Sequence, residues 1–236
     1  VDLVVPAGAS LALVGETGSG KSTLAGLVAR LRDPSVGRVT VDGIDLRDLS
    51  FADLSRIVGV VSQETYLLHA SIRDNLLHAK ADATDDELWG VLESARIADL
   101  VATLPDGLDT VVGARGLRFS GGEKQRFAVA RTLLRDPRVL VLDEATSALD
   151  NETERELQAA LAVVTRDRTT ITIAHRLTTV EGSDRIAVLS GGRVAETGTH
   201  TELVAAGGRY ARLAGSGLPS AAGSGLPSAA GRVPVA

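Results

Sequence analysis

Gly15-Glu-Thr-Gly-Ser-Gly-Lys-Ser22 lies between an apolar run, Leu11-Ala-Leu-Val14, and apolar residues at helical spacing, Leu24, Leu27, Val28 and Leu31. The run reads as a buried parallel strand and the spaced residues as an amphipathic helix, so the octapeptide is the turn joining them. It fits G-x-x-x-x-G-K-[ST], the pattern of a phosphate-binding loop. Gly15, Gly18 and Gly20 let successive backbone N–H groups turn inward on a phosphate chain. The helix start adds partial positive charge beneath it. Lys21 can reach the β- and γ-phosphates, and the Ser22 hydroxyl can hold Mg²⁺. Glu16, Thr17, Ser19 and Thr23 complete the stretch expected to line a nucleoside triphosphate.

A second apolar run, Val139-Leu-Val-Leu142, ends in Asp143-Glu144. A buried strand ending in two acids puts them at the carboxyl edge of a sheet, where open α/β folds bind ligands. There Asp143 can hold the Mg²⁺ shell, and Glu144 can orient and deprotonate an attacking water. Upstream, Ser120-Gly121-Gly122 opens the stretch from Glu123 to Arg131, a helix with Phe127, Ala130, Leu133 and Leu134 on one face. A serine and two glycines at a helix start make a second anion-binding nest. Two phosphate-binding elements in one chain serve different nucleotides or meet across a dimer.

On these residues the chain resembles the nucleotide-binding domain of an ATP-binding cassette (ABC) transporter of the exporter type. FSGGEKQR, Phe119–Arg126, is similar to the family signature, which more often begins with Leu and carries Gln at the position of Glu123. Gln63 matches the Q-loop glutamine, Ser147-Ala-Leu-Asp150 the D-loop, and His175, after Thr170-Ile-Thr-Ile-Ala174, the switch histidine. The match runs from Val1 to about Arg212. It implies a P-loop NTPase (RecA-like) fold of the α/β class: a parallel-sheet core, a small antiparallel part and an inserted α-helical subdomain. It also implies ATP and Mg²⁺ as cofactors, and a head-to-tail dimer with an identical or different second cassette. Each ATP would lie between one subunit's loop at Gly15–Thr23 and the other's Ser120, Gly121, Gly122 and Glu123, with Asp150 in the nucleotide-binding set. Ser22, Gln63 and Asp143 would hold the metal. Glu144 would be the general base, His175 would contact the γ-phosphate, and Gln63 would couple metal and water to movement of the helical subdomain.

Two stretches resemble exporters in particular. Thr110–Gly116 is similar to the segment that touches transmembrane coupling helices, with Ala114 where an acid is usual. Ser62–Leu76 is similar to the stretch that receives a coupling helix, which makes Tyr66, Leu67 and Leu68 candidates for docking or for subdomain core. The expected partner is therefore an exporter's transmembrane domain, in the same chain upstream or in a separate subunit, at the cytoplasmic face of the cell membrane.

The chain's 236 residues, 44% of them hydrophobic, suffice for a sizeable core. A net charge of −5 without a basic run argues against nucleic acid, and no cysteine is present for disulfides or structural zinc. Strand and helix patterns alternate to about residue 63, helical patterns fill 64–135, and core strands return from 136 to 212. Asp85–Ala98 and Gly122–Leu134 are the clearest helices, Val39–Val41 with Asp42-Gly43 is a strand and turn, and Trp89 reads as packing. Thr199-His-Thr-Glu202 reads as a capping box. His69, His78 and His200 match nothing catalytic. In 213–236, Gly215–Ala222 is repeated verbatim as Gly223–Ala230, a Gly/Ser/Ala/Pro composition expected to form a flexible tail.

Relatives place a strand and an adenine-stacking aromatic upstream of the loop, whereas the first aromatic here is Phe51 and no methionine occurs. The expectation is a C-terminal part of a longer polypeptide, which binds ATP more weakly without the upstream segment. Two other readings share these residues. One is a stand-alone cassette ATPase of the translation or DNA-repair kind, disfavoured by the acidic charge. The other is a truncated or regulatory fragment with weak or no turnover.

Overall fold

A computed structural model describes residues 1–62, 65–113, 119–143, 151–174 and 177–215. Its centre is a six-stranded sheet of β1 (Ser10–Val14), β4 (Val58–Val61), β5 (Val139–Asp143), β6 (Thr169–Ile173), β7 (Arg185–Ser190) and β8 (Arg193–Gly198). They lie in the order β4-β5-β6-β1-β7-β8, all parallel except the antiparallel edge strand β8. A separate two-stranded antiparallel piece, β2 (Thr40–Val41) with β3 (Ile44–Asp45), turns at Asp42-Gly43, both at positive φ.

Successive side chains of a strand point to opposite faces, so a strand buried on both sides reads as continuously apolar. Leu11, Leu13, Val139, Val141, Ile171, Ile173 and Leu189 pack on one face with Leu24 and Val28 of α1 (Lys21–Val28) and Leu54 of α2 (Phe51–Ile57). On the other face the intervening Ala12, Val14, Ile186 and Val188 meet the carboxyl-terminal helices, α8 (Leu177–Glu181), α9 (His200–Ala205) and α10 (Arg209–Gly215). Leu140 and Leu142 meet α6 (Gly121–Arg135) and α7 (Asn151–Thr165).

Between β4 and β5 come α3 (Ile72–Leu77), α4 (Asp85–Ser94), α5 (Ala98–Thr103) and α6. Leu76, Leu88, Leu92, Val101 and Phe127 form their core, with Trp89 half-buried against it. Leu67 joins this core, while Tyr66 and Leu68 remain on the surface. Capping boxes at Ser71, Thr84, Ser120 and Thr199 start α3, α4, α6 and α9. Among the described residues no helix is long and apolar enough to cross a membrane.

Three expectations need correction. Leu31 is not on the face of α1: the helix ends at Val28 and Leu31 is 77% exposed. Arg30 adopts φ 49, and the N–H groups of Leu31 and Arg30 return to the carbonyls of Gly26 and Leu27, a Schellman closure without glycine. Arg96, at φ 58, closes α4 the same way through Ile97 N–H to Leu92, so Asp85–Ala98 is not one helix but the end-to-end pair α4 and α5. Finally, α10 continues to Gly215, with Leu213 and Ala214 packed on the core, past the expected edge at 212. The remainder of the repeat-bearing segment lies outside the described residues.

Asp184 joins the amino ends of β1 and β7: its carboxylate accepts the Ser10 N–H at 2.8 Å and the Ser10 hydroxyl at 2.7 Å. These bonds, the backbone N–H first, hold its pKa below the ordinary 3.8. A depressed carboxylate stabilises the fold above its unfolded pKa, and that contribution fades as pH falls through the folded value. Asp184→Asn is therefore expected to lower Tm at pH 7 by about 2–4 °C, roughly 1 kcal/mol after allowing for solvent screening. Thermal melts across pH should show the gap closing below pH 3.8. An equal gap at acid and neutral pH would refute the assignment.

Candidate functional site

The carboxyl ends of β4, β5, β6 and β1 share one edge of the sheet, because Val61 pairs with Leu142, Asp143 with Ile173, and Leu13 with Ile173. The Gly15–Ser22 loop begins directly after β1, and Asp143 is the last residue of β5. Gln63 follows β4 by two positions, Glu144 follows β5 by one, and His175 follows β6 by two. Gln63, Glu144, Asp150 and His175 lie outside the described residues, as does Ala114.

The loop's shape depends on missing side chains. Gly15 has φ 151, and a Cβ there would lie 2.3 Å from the Leu189 carbonyl oxygen and 2.8 Å from Ser19 Oγ. Gly18 and Gly20 take φ 79 and φ 106. Gly20 is the N-cap of α1 and supplies no side-chain acceptor, whereas Ser or Thr caps α2, α3, α4, α6 and α9. The first N–H groups of α1 are thus left to an incoming anion. Ser22 and Thr23 are exposed at that same helix start.

Lys21 is buried, and its Nζ donates to the carbonyls of Gly15 at 2.7 Å and Glu16 at 3.0 Å. An ammonium has three donors, so these bonds brace the loop and leave one for a phosphate. Burial pulls the Lys21 pKa below 10.5, and the Asp143 carboxylate pushes it back up. Lysine and acid therefore share one field at the strand ends. The chemistry fits a magnesium triphosphate: a cationic donor and open N–H groups for phosphate oxygens, with the Ser22 hydroxyl and Asp143 carboxylate as hard oxygen ligands. Beside the loop, a cleft of about 400 Å³ opens between Gly15–Ser19 and Arg212 of α10.

The second candidate element opens α6 in the helical block. Ser120 and Gly121 are exposed, and Gly122 is buried. Ser120 Oγ accepts the Glu123 N–H at 3.3 Å, and Glu123 Oε2 accepts the Ser120 N–H at 2.6 Å. Glutamate at this position therefore occupies one N–H of the expected nest and adds negative charge there. Phe119, in place of the more common leucine, is buried edge-on to Phe127 with ring centroids 5.1 Å apart. Deeper in α6, the buried Arg126 pairs with Glu156 of α7.

Sequence reading missed the β7–β8 turn as part of the site. The Gly192 N–H donates to the Ser19 carbonyl at 3.1 Å, tying the loop to a hairpin 173 positions along the chain. A Gly-Gly turn is a common local signal, and nothing in it points to a partner so distant. His69 contacts the Val112 carbonyl and His200 the Tyr210 hydroxyl, away from the strand ends.

Residues 1–147 match the family model described as ABC transporter. Over 213 residues the chain is 50% identical to an ABC transporter of Aspergillus oryzae, covering 90% of this chain and 26% of that protein. It is 47% identical over 214 residues to an ATP-dependent lipid A-core flippase of Thiobacillus denitrificans, covering 90% and 37%. A solved bacterial Atm1-family ABC exporter with ATP bound is 44% identical with a TM-score of 0.82, and the alignment covers 94% of this chain and 38% of that one. The chain thus spans between about a quarter and two-fifths of the length of these proteins.

Proposed function

Because the chain belongs to the ABC transporter family and has an exporter-type nucleotide-binding domain, we propose that it hydrolyses ATP in a head-to-tail pair and drives export through a transmembrane domain. The observation that carries this reading is the single sheet edge at which the open loop, Lys21 and Asp143 meet the strand ends preceding Gln63, Glu144 and His175.

The loop's N–H groups and Lys21 bind and orient the phosphates, so the γ-phosphorus is presented in line for attack. Ser22, Gln63 and Asp143 would hold Mg²⁺, which when bound would offset phosphate charge. Glu144 takes a proton from the attacking water. The water oxygen bonds to the γ-phosphorus, the bond to the bridging oxygen breaks, and ADP leaves with inorganic phosphate. His175 donates to the γ-phosphate, and Ser120–Glu123 of a second cassette closes the site from the other side, with Asp150 at the seam. On this reading the site of one cassette is incomplete by itself, because its own Ser120–Glu123 opens α6 in the helical block and does not follow a core strand.

Tyr66 and Leu68, exposed beside the core residue Leu67, are the surface offered to the transmembrane partner. Thr110–Gly116 is the second segment offered to that partner. The transported substrate is set by that partner.

A shared site makes turnover depend on pairing. ATP hydrolysis per chain should rise roughly in proportion to chain concentration below the dimer dissociation constant and then level off. Steady-state phosphate release across a wide concentration series tests this. Activity per chain that stays constant throughout would overturn the paired-site reading.

A further inference from the structure

His200 has no part in the chemistry above, yet it joins three of the carboxyl-terminal helices. It is the first residue of α9, fixed there by the capping box of Thr199 and Glu202. Its Nδ1 lies 2.7 Å from the hydroxyl of Tyr210 in α10, and the two rings meet edge to face at 5.6 Å. Its Nε2 lies 3.8 Å from Glu181, the last residue of α8.

The far side of this bridge is firmly held. Tyr210 is fully buried, and Glu196 of β8 accepts the N–H groups of Arg209 at 2.6 Å and Tyr210 at 3.0 Å. Leu203 and Tyr210 pack with Val180 of α8 in one apolar cluster over β1 and β7. The near side is short: α8 has five residues and starts at Leu177, two positions after His175. Val180 supplies non-directional packing, whereas the His200–Tyr210 hydrogen bond is directional and holds the imidazole Nε2 within ion-pair distance of the Glu181 carboxylate.

We infer that His200 is a positioning residue for the γ-phosphate-sensing segment: by holding Glu181 against Tyr210 it orients α8, and through α8 the stretch containing His175. This rests on the reading of His175 given above. Its consequence is selective. Diphosphate binding, which uses the Gly15–Ser22 loop, should not depend on His200, whereas preference for triphosphate and turnover should.

The experiment measures kcat together with affinities for ADP and a non-hydrolysable ATP analogue. His200→Ala should reduce kcat and triphosphate preference about three- to thirty-fold, the range of couplings carried by residues that touch neither ligand. ADP affinity should stay within about twofold, a split that general damage to the fold would not produce. His200→Asn, whose amide falls near the position of Nδ1 and so reaches Tyr210 but not Glu181, should leave most of the loss in place, and Tyr210→Phe should reproduce part of it. If His200→Ala fails to fold, Glu181→Gln and Tyr210→Phe provide the same comparison.

Equal losses for ADP and triphosphate, or no loss in any of these variants, would overturn the inference. His175→Ala separates the two levels. A loss there without one at His200 sinks only the positioning role. No loss at His175 removes the sensor reading and the inference with it.

Discussion

Replacing Glu144 with Gln is expected to cut ATP turnover by about 10²–10⁴-fold, the usual contribution of a positioned general base. The amide keeps the size and hydrogen-bonding reach of the carboxylate but cannot take the proton of the attacking water. Nothing in the phosphate-binding loop changes, so ATP should still bind. Binding without hydrolysis should accumulate an ATP-bound pair of chains, visible as an ATP-dependent shift to the dimer in size-exclusion chromatography. The position supports the role: Glu144 is the next residue after Asp143, which ends β5 in the middle of the shared strand edge. Undiminished phosphate release would remove Glu144 from the reaction. Loss of turnover together with loss of ATP binding would make it a ligand-holding group instead.

Gly15→Ala is expected to have the second large effect, through backbone shape. The new methyl group would lie 2.3 Å from the Leu189 carbonyl oxygen, a backbone atom in the interior of β7, at a φ of 151 that side chains rarely adopt. Either the loop moves away from β7 or the strand shifts. Backbone strain and overpacking each cost about 1–3 kcal/mol, so together they amount to roughly 2–6 kcal/mol. For a chain of this length that is a fall in Tm of about 5–20 °C. ATP affinity should fall with it, because Gly15 also supplies a carbonyl to Lys21 Nζ. Melting curves and equilibrium ATP binding on the same sample check both parts. Tm within about 2 °C of the parent with unchanged affinity would show that the loop tolerates a side chain there.

Features carried by a few neighbouring residues were legible in the sequence. Apolar runs ending at Val14 and Leu142 marked buried strands, because a strand covered on both faces has no polar side to show. Thr199 and Glu202 marked the start of α9, because a capping box closes within one turn. The loop glycines were equally plain, since positive φ leaves a compositional trace. Arg30, Arg96 and Asp136 show the limit: each takes a left-handed conformation without being glycine, and so the ends of α1 and α4 were misread.

The sequence by itself determined which chemistry this chain can carry, since Lys21, Ser22, Asp143 and Glu144 sit in local patterns whose spacing is set by one turn or one strand end. Only the tertiary structure decided what holds that chemistry in place. Gly192 reaches Ser19, Asp184 reaches Ser10, and Glu181, His200 and Tyr210 meet across three helices. The first two of these join positions more than 170 apart in the chain, and strand order brings them together: β1 lies between β6 and β7. Hydrophobic burial, which is non-directional, drives that arrangement, so its outcome is set by the packing of the whole sheet and leaves no mark on the individual residues it pairs.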